Sequence, residues 1–347
     1  MAELVCYMRD GKETGSVRTK WERRLLSAML GAVLLMYLSV SAALAQMGQQ
    51  PISPWTYQAM LGCGMDVDWA KTAQGIRCYS SQAPQDFTQA GLKHVRIRVK
   101  DDADTTMLDH LERIVQDCLD CGLIPILAYQ ADCFKKNPDE ANLEKVVSWW
   151  RTVAQRFRDV SYLVAFDVMI ECTDALNKQP DRLNALFERT VAAIRESNPE
   201  RIVMISPRMR SDPLYLHELE IPAAHNGYLM AEWHFYAAGP SKINPKKQWT
   251  TGTQQERQLI LDKIRAACEW QGGTGIPTWV GAWMPGNYND GNEYTVQEQC
   301  AFASFVVSAL RAEGIPFAVN SDTKFYDREM NAWNESLQPV LRVILGE

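Results

Sequence analysis

The chain has 347 residues, of which 46% are hydrophobic and 22% are charged, and its formal net charge is −6. A chain of this length buries a sizeable core without help from metal ions or disulfides. The mildly acidic balance gives no electrostatic reason to expect a nucleic-acid partner.

The N-terminal segment has the pattern of a secretory signal peptide. A basic stretch at Arg18–Arg24 precedes an apolar run at Leu25–Val40, and Ala43–Ala45 fits a small-x-small cleavage site. We therefore expect residues 1–45 to be removed and the mature protein to be secreted or periplasmic, without stable membrane association. The alternative is an uncleaved leader that anchors the protein, because the apolar run is nearly long enough to span a bilayer.

Residues 46–347 are predicted to form one domain, in which strand patterns alternate with amphipathic helical patterns. The strands are predicted at residues 62–69, 91–99, 124–129, 164–171, 201–206, 227–236, 276–281 and 315–320. Eight strands that alternate with helices favour an α/β fold of the (β/α)8 TIM barrel type. A doubly wound sheet is the alternative. It would be expected to carry a glycine-rich phosphate turn, for which Gly62-Cys-Gly64 is too short.

The fourth predicted strand ends on a carboxylate. Residues 164–170 are apolar apart from Asp167, and Glu171 follows them directly. Catalytic residues of α/β barrels lie at the C-terminal ends of the strands, where the βα loops open to solvent. Glu171 is therefore the best single candidate for chemistry in this sequence.

These segments resemble glycoside hydrolase family 5, the cellulase-like barrels, from the first predicted strand to the C-terminus. Phe166–Glu171 is similar to the family's fourth-strand motif, whose glutamate is the general acid/base. Residues 91–99 are similar to its second strand, where an arginine, here Arg96, reaches the active site. His234–Tyr236 resembles the sixth-strand His-x-Tyr motif, and Trp279–Trp283 resembles the seventh-strand motif that carries the nucleophile. The resemblance implies hydrolysis of O-glycosyl bonds in a polysaccharide or oligosaccharide.

Several positions depart from the family's pattern. The resemblance places Ala282 at the position of the nucleophile glutamate, and Ile170 at the position of the asparagine before the acid/base. Gln130 takes a third-strand position that is often histidine, and Asn320 takes an eighth-strand position that is often tryptophan. Because alanine has no nucleophilic atom, the usual double displacement cannot use position 282.

Two hypotheses follow for the chemistry. In the first, Glu232 supplies the second carboxylate, since it lies two residues before His234 and projects to the same face of its strand. One strand separates it from Glu171, which suits an inverting, water-mediated geometry. The alternative for Glu232 is a barrel-interior charge paired with an arginine. In the second hypothesis, the barrel has lost hydrolysis and keeps a sugar-binding cleft.

The candidate substrate contacts combine polar side chains with aromatic platforms at the barrel mouth. They are Arg96, Gln130, His234, Tyr236, Trp283 and Asn320. Other acids near predicted strand ends or mouth loops are Asp66, Asp68, Asp174, Asp290 and Asp322. We expect no cofactor and no metal, because nothing fixes the mutual spacing of Asp66, Asp68, Glu232 and His234, which would be the alternative metal ligands.

Overall fold

The computed structural model describes residues 48–235, 249–286 and 294–347, and within them parallel strands close a barrel. The strands are β1 (Cys63–Ala70), β2 (His94–Val99), β3 (Ile124–Tyr129), β4 (Ala165–Asp167), β5 (Val203–Ile205), β6 (Leu229–His234), β7 (Thr278–Trp283) and β8 (Phe317–Asn320). Each strand pairs with the next, and β8 pairs with β1. The predicted (β/α)8 barrel is therefore confirmed. The predicted leader, residues 1–45, lies outside the described residues.

One helix precedes β1, and the others follow strands and form the outer layer. The helices are α1 (Pro54–Leu61), α2 (Ala73–Arg77), α3 (Gln82–Gln89), α4 (Thr105–Asp120), α5 (Asp132–Lys136), α6 (Glu140–Arg156), α7 (Pro180–Arg195), α8 (Gln254–Thr274), α9 (Val296–Ala312), α10 (Asp322–Phe325) and α11 (Gln338–Leu345). A small hairpin, β9 (Tyr326–Asp327) and β10 (Ala332–Trp333), follows α10. Within the described ranges, no helix is both long and apolar enough to cross a bilayer.

The starts of the long helices are encoded locally. Asp104 and Asp139 accept hydrogen bonds from backbone N–H groups in the first turns of α4 and α6. Thr253 and Thr295 form complete capping boxes at the starts of α8 and α9. These side chains satisfy N–H groups that have no partner within the helix, so the sequence alone fixes where the helices begin.

The barrel separates an apolar outer layer from a charged interior. Along β2, Val95 and Ile97 belong to the apolar core under the helices, whereas Arg96 between them is bonded to acids from other strands. Successive side chains of a strand point to opposite faces, so one strand serves both environments. Charged side chains therefore lie inside the barrel, towards the C-terminal ends of the strands.

A buried arginine stabilises the segment that leads into β4 by hydrogen bonds to its backbone. Arg201 is 1% exposed, and its Nε donates to Asn198 Oδ1 at 2.7 Å. Its two terminal nitrogens donate to the backbone carbonyls of Phe157, Val160, Ser161 and Val164, at 2.7 to 2.9 Å. Five donors in a rigid plane match this ring of acceptors, so Arg201 orders the connection from α6 to β4.

Candidate active site

Glu171 lies at the barrel mouth, but it does not belong to the strand. The predicted strand 164–171 is shorter in the structure, where β4 ends at Asp167. Glu171 has a φ of 51°, in the left-handed region that few residues other than glycine adopt. Two hydrogen bonds fix the backbone before Glu171. The Ile170 N–H donates to the carbonyl of Tyr129 at 2.9 Å, and Ser206 Oγ donates to the carbonyl of Met169 at 3.1 Å. The turn therefore fixes the direction in which the Cα–Cβ bond of Glu171 leaves the backbone.

An imidazole stands between the two predicted catalytic carboxylates. His234 Nδ1 lies 3.2 Å from Glu171 Oε1, and its Nε2 contacts Glu232 Oε1. The ring therefore fills the space between Glu171 and Glu232, where an inverting mechanism needs a water molecule. Glu171 retains 18% side-chain exposure, whereas Glu232 has none. Glu232 thus lies behind His234 and has no surface at the barrel mouth.

Arg96 is the centre of the interior network. Its Nε and Nη2 donate to the two carboxylate oxygens of Asp66 at 2.9 and 3.1 Å. Its Nη1 donates to Glu232 Oε1 at 2.7 Å and to Asp167 Oδ2 at 3.3 Å. With 1% exposure, its guanidinium has no surface left for a substrate. Arg96 was expected to contact the substrate, and the structure instead makes it the counter-ion of buried acids.

The charge states follow from these contacts. Burial alone would lower the pKa of His234, but the charge of Glu232 and the hydrogen bonds to Glu171 and Glu232 raise it to about 9. Burial alone would raise the pKa of Glu171, but the hydrogen bond and charge of His234, with the charges of Arg210 and Lys135, hold it at about 2. Near neutral pH, His234 is therefore an imidazolium ion that donates from both nitrogens, and Glu171 is ionised.

Asp167 shares the interior with Glu232. Burial and the nearby charge of Glu232 raise the pKa of Asp167 to about 7, against the opposing charges of Arg96 and His234. Both acids therefore accept from Nη1 of one arginine. The raised pKa makes the protonation of Asp167 sensitive to pH near neutrality.

A register irregularity decides the orientation of the last residues of β7. Trp279 faces the interior, where its Nε1 donates to His94 Nε2 at 3.1 Å. A Cβ added at Gly281 would lie 2.1 Å from Glu232 Oε1 and 2.7 Å from Arg96 Nη1, so this position also faces inward. The pairing with β8 then shifts between Val280 and Trp283. An irregularity of this kind re-aims the side chains that follow it.

Trp283 consequently does not form a platform at the mouth. It has no exposed surface, and its ring makes edge-on contacts with Phe302 of α9 at 6.0 Å and with Phe317 at 5.8 Å. The prediction of a sugar contact at this residue is corrected, because the bulge turns the indole into the helix layer. Ala282 pairs in register with His234 at the end of β6.

The remaining predicted contacts lie around the same rim. Asn320 Oδ1 accepts from Arg98 Nη1 at 3.3 Å, and Gln130 Oε1 accepts from Lys135 Nζ at 3.4 Å. Both Gln130 and Asn320 are partly exposed, which leaves polar surface for a ligand. Tyr236 lies outside the described residues.

The other predicted mouth acids have different surroundings. Asp66 and Asp322 are fully buried, Asp68 is paired with Arg98 at 2.6 Å, and Asp174 is exposed. Asp290 lies outside the described residues. Among the described residues, no group of three or more histidine, cysteine or acidic side chains has the arrangement of a metal site.

A model of the cellulase family, glycosyl hydrolase family 5, matches residues 58–321. The chain belongs to glycoside hydrolase family 5.

Relatives of this family member are similar to it at low sequence identity. Endoglucanase H of Acetivibrio thermocellus is 25% identical over 305 residues, which are 82% of this chain and 33% of that protein. A beta-xylosidase of Phanerodontia chrysosporium is 21% identical over 225 residues, 57% of this chain and 46% of that protein. The chain thus spans less than half of the length of these relatives. Endoglucanase Cel5A of Thermotoga maritima has a TM-score of 0.73 at 17% identity, covering 84% of this chain and 100% of its own, a likeness of fold.

Two residues at the mouth of this family 5 barrel were not predicted from the sequence. Arg210 Nη1 donates to Glu171 Oε2 at 3.2 Å, and its side chain is 62% exposed. Lys135 is 4% exposed and contributes its charge to the environment of Glu171. Arg210 lies in the segment that follows β5, and Lys135 lies in the segment that follows β3. In the sequence, only this position after a strand could have marked them as site residues, and it does not determine the direction of a loop side chain.

Proposed function

We propose that this chain is a glycoside hydrolase that acts on O-glycosyl bonds of a polysaccharide or oligosaccharide. The observation that carries the proposal is the placement of Glu171. It is a partly exposed carboxylate of the charged network, it lies at the mouth of a family 5 barrel, and His234 contacts it from the interior side. Enzymes of this kind protonate the leaving oxygen with a carboxylic acid at this end of the barrel. We assign Glu171 this role of general acid/base.

We assign Glu232 a supporting role. Its contact with His234 Nε2 keeps the imidazole charged and correctly oriented, so that Nδ1 donates to Glu171. Without a carboxylate at Ala282, a direct attack by water on the anomeric carbon is the route that avoids a covalent intermediate. In this route water bonds to the anomeric carbon from the open mouth as the glycosidic C–O bond breaks, Glu171 gives its proton to the departing oxygen, and the attacking water releases one proton to solvent. Gln130, Asn320 and Tyr236 are the proposed polar and aromatic contacts to the sugar.

One property of the site favours a second candidate function, a barrel that binds glycans without cleaving them. A general acid must be protonated before it acts, whereas Glu171 is ionised beside His234 and Arg210. In a two-carboxylate site, the second negative charge raises the pKa of the acid, and Ala282 supplies no such charge. If nothing replaces that charge, the protein retains the cleft and loses the chemistry.

A hydrolysis panel of β-linked glucans, xylans and mannans tests both functions. The wild-type protein is compared with Glu171→Gln and with Glu269→Gln, which changes an exposed glutamate of α8. We expect cleavage by the wild type and Glu269→Gln, and about a hundredfold or greater loss of kcat in Glu171→Gln at an unchanged melting temperature. Glycan binding without cleavage by any of the three proteins would refute hydrolysis and support the binding function.

A further inference from the structure

Arg210 is held beside Glu171 by an unusual backbone. Met209, Arg210 and Ser211 have φ values of 59°, 59° and 58°, three consecutive left-handed residues without a glycine. Each such residue costs about 1 kcal/mol or more, so the turn persists only if its surroundings impose it. The turn follows β5, and it directs the Arg210 guanidinium towards the mouth.

Contacts on both sides fix this turn. The Arg210 N–H donates to the carbonyl of Cys172 at 2.9 Å, which ties the turn to the segment that carries Glu171. The Met209 N–H donates to Asn177 Oδ1 at 2.7 Å. Arg208, at the start of the turn, pairs with both oxygens of Glu218. The position of Arg210 is therefore built into the fold, while its side chain remains 62% exposed.

The charges that face Glu171 come from three different elements. They are His234 from β6, Arg210 from the turn after β5, and Lys135 from α5. Asp132 and Asp174 lie near Lys135 and offset part of its charge. Arg210 is the exposed cation among the groups bonded directly to Glu171, because His234 is buried. A ligand at the mouth therefore reaches Arg210 first.

We propose that the substrate of this site is an anionic glycan, and that Arg210 binds the carboxylate or sulfate of the sugar unit next to Glu171. This inference rests on the proposed function and names its substrate class. A guanidinium presents its donors in a planar fork that matches an oxyanion and remains charged at all physiological pH values. Arg210 Nη1 contacts Glu171, and the exposed part of the fork faces solvent, where the substrate arrives.

The same contact explains how Glu171 becomes an acid. When the substrate oxyanion pairs with Arg210, it weakens the pull of that cation on Glu171 and adds a negative charge nearby. Both effects raise the pKa of Glu171, so that it holds the proton that the leaving oxygen needs. The substrate thus supplies the charge that Ala282 does not. A neutral glycan does not supply this charge, so we expect it to be cleaved more slowly than an anionic one.

The test compares three xylo-oligosaccharides of equal length: unsubstituted, carrying a glucuronic acid branch, and carrying a sulfate ester. Binding is measured by calorimetry with the wild type, Arg210→Gln, Arg210→Lys and the control Arg265→Gln. Arg265 also has 62% exposure but lies on α8, in an ion pair with Asp262. We expect the wild type and the control to bind at least one charged ligand about tenfold more tightly than the neutral one.

In Arg210→Gln the preference should fall to about unity, and Arg210→Lys should keep part of it. The charged ligand that binds more tightly shows whether the site recognises a carboxylate or a sulfate. Equal affinity of the wild type for charged and neutral ligands, or an undiminished preference in Arg210→Gln, would overturn the inference. Hydrolysis is scored separately: cleavage of neutral and charged ligands with equal kcat/KM would leave the proposed function standing and remove the substrate class. Selective binding of a charged ligand without cleavage would support the site and refute hydrolysis.

Discussion

The charge of His234 leads to a specific prediction about stability, because the substitution Glu232→Gln removes the carboxylate that contributes most to its raised pKa. The pKa of His234 is raised from 6.5 to about 9, chiefly by Glu232. A histidine whose pKa is raised by folding stabilises the protein below its unfolded pKa, and this stability disappears as pH rises through the folded value. The shift corresponds to about 3 kcal/mol, of which about 2 kcal/mol remains at about pH 7.5.

The measurement is urea unfolding at several pH values from about 7.5 to about 10. This range lies above the pKa of Asp167, so that its titration contributes little. Buried thiols with raised pKa values, such as Cys63 and Cys172, lower the stability of all three proteins alike over this range. We therefore expect the free energy of unfolding to fall by about 2 kcal/mol more in the wild type and in Glu269→Gln than in Glu232→Gln. Equal slopes in Glu232→Gln and the wild type would refute the assignment of a charged imidazole between two carboxylates.

The remaining predictions concern the frame of the site and the leader. Arg201→Met should lower the free energy of unfolding in urea by about 3 to 5 kcal/mol, because it leaves several buried carbonyls without a donor. Arg151→Met removes an exposed ion pair and should cost less than about 1 kcal/mol in the same assay. Gly281→Ala places a methyl group against Glu232, and a thermal melt should show a loss of about 1 to 3 kcal/mol. Mass spectrometry of protein exported from its host should find Gln46 at the N-terminus.

The charged interior also connects the proposed site with the stability of the barrel. Asp66, Arg96, Asp167 and Glu232 are buried, and they join β1, β2, β4 and β6 through hydrogen bonds. Removing one partner of such a network leaves another charge uncompensated, which costs several kcal/mol. Substitutions in the interior should therefore be judged by folding as well as by activity, and the exposed Arg210 is the better probe of ligand recognition.

The sequence located Glu171 and the barrel well for a local reason. Strand and helix periods repeat within windows of a few residues, and the capping side chains at Thr253 and Thr295 mark helix starts directly. A carboxylate after an apolar run is likewise visible without knowledge of its neighbours. The prediction placed the end of β4 four residues too late, because Val168, Met169 and Ile170 continue the apolar pattern without strand geometry.

The partners of Glu171 were decided only by tertiary structure. Alternation correctly put Glu232 and His234 on one face, but the closure of the barrel determines that Arg96 meets Glu232 and that the imidazole separates the two carboxylates. A register shift in β7 turned Trp283 away from the mouth, and a left-handed turn brought Arg210 into it. Sequence patterns therefore determined the elements and the acid at the strand end. Register and loop conformation, which depend on contacts between distant segments, determined what that acid faces.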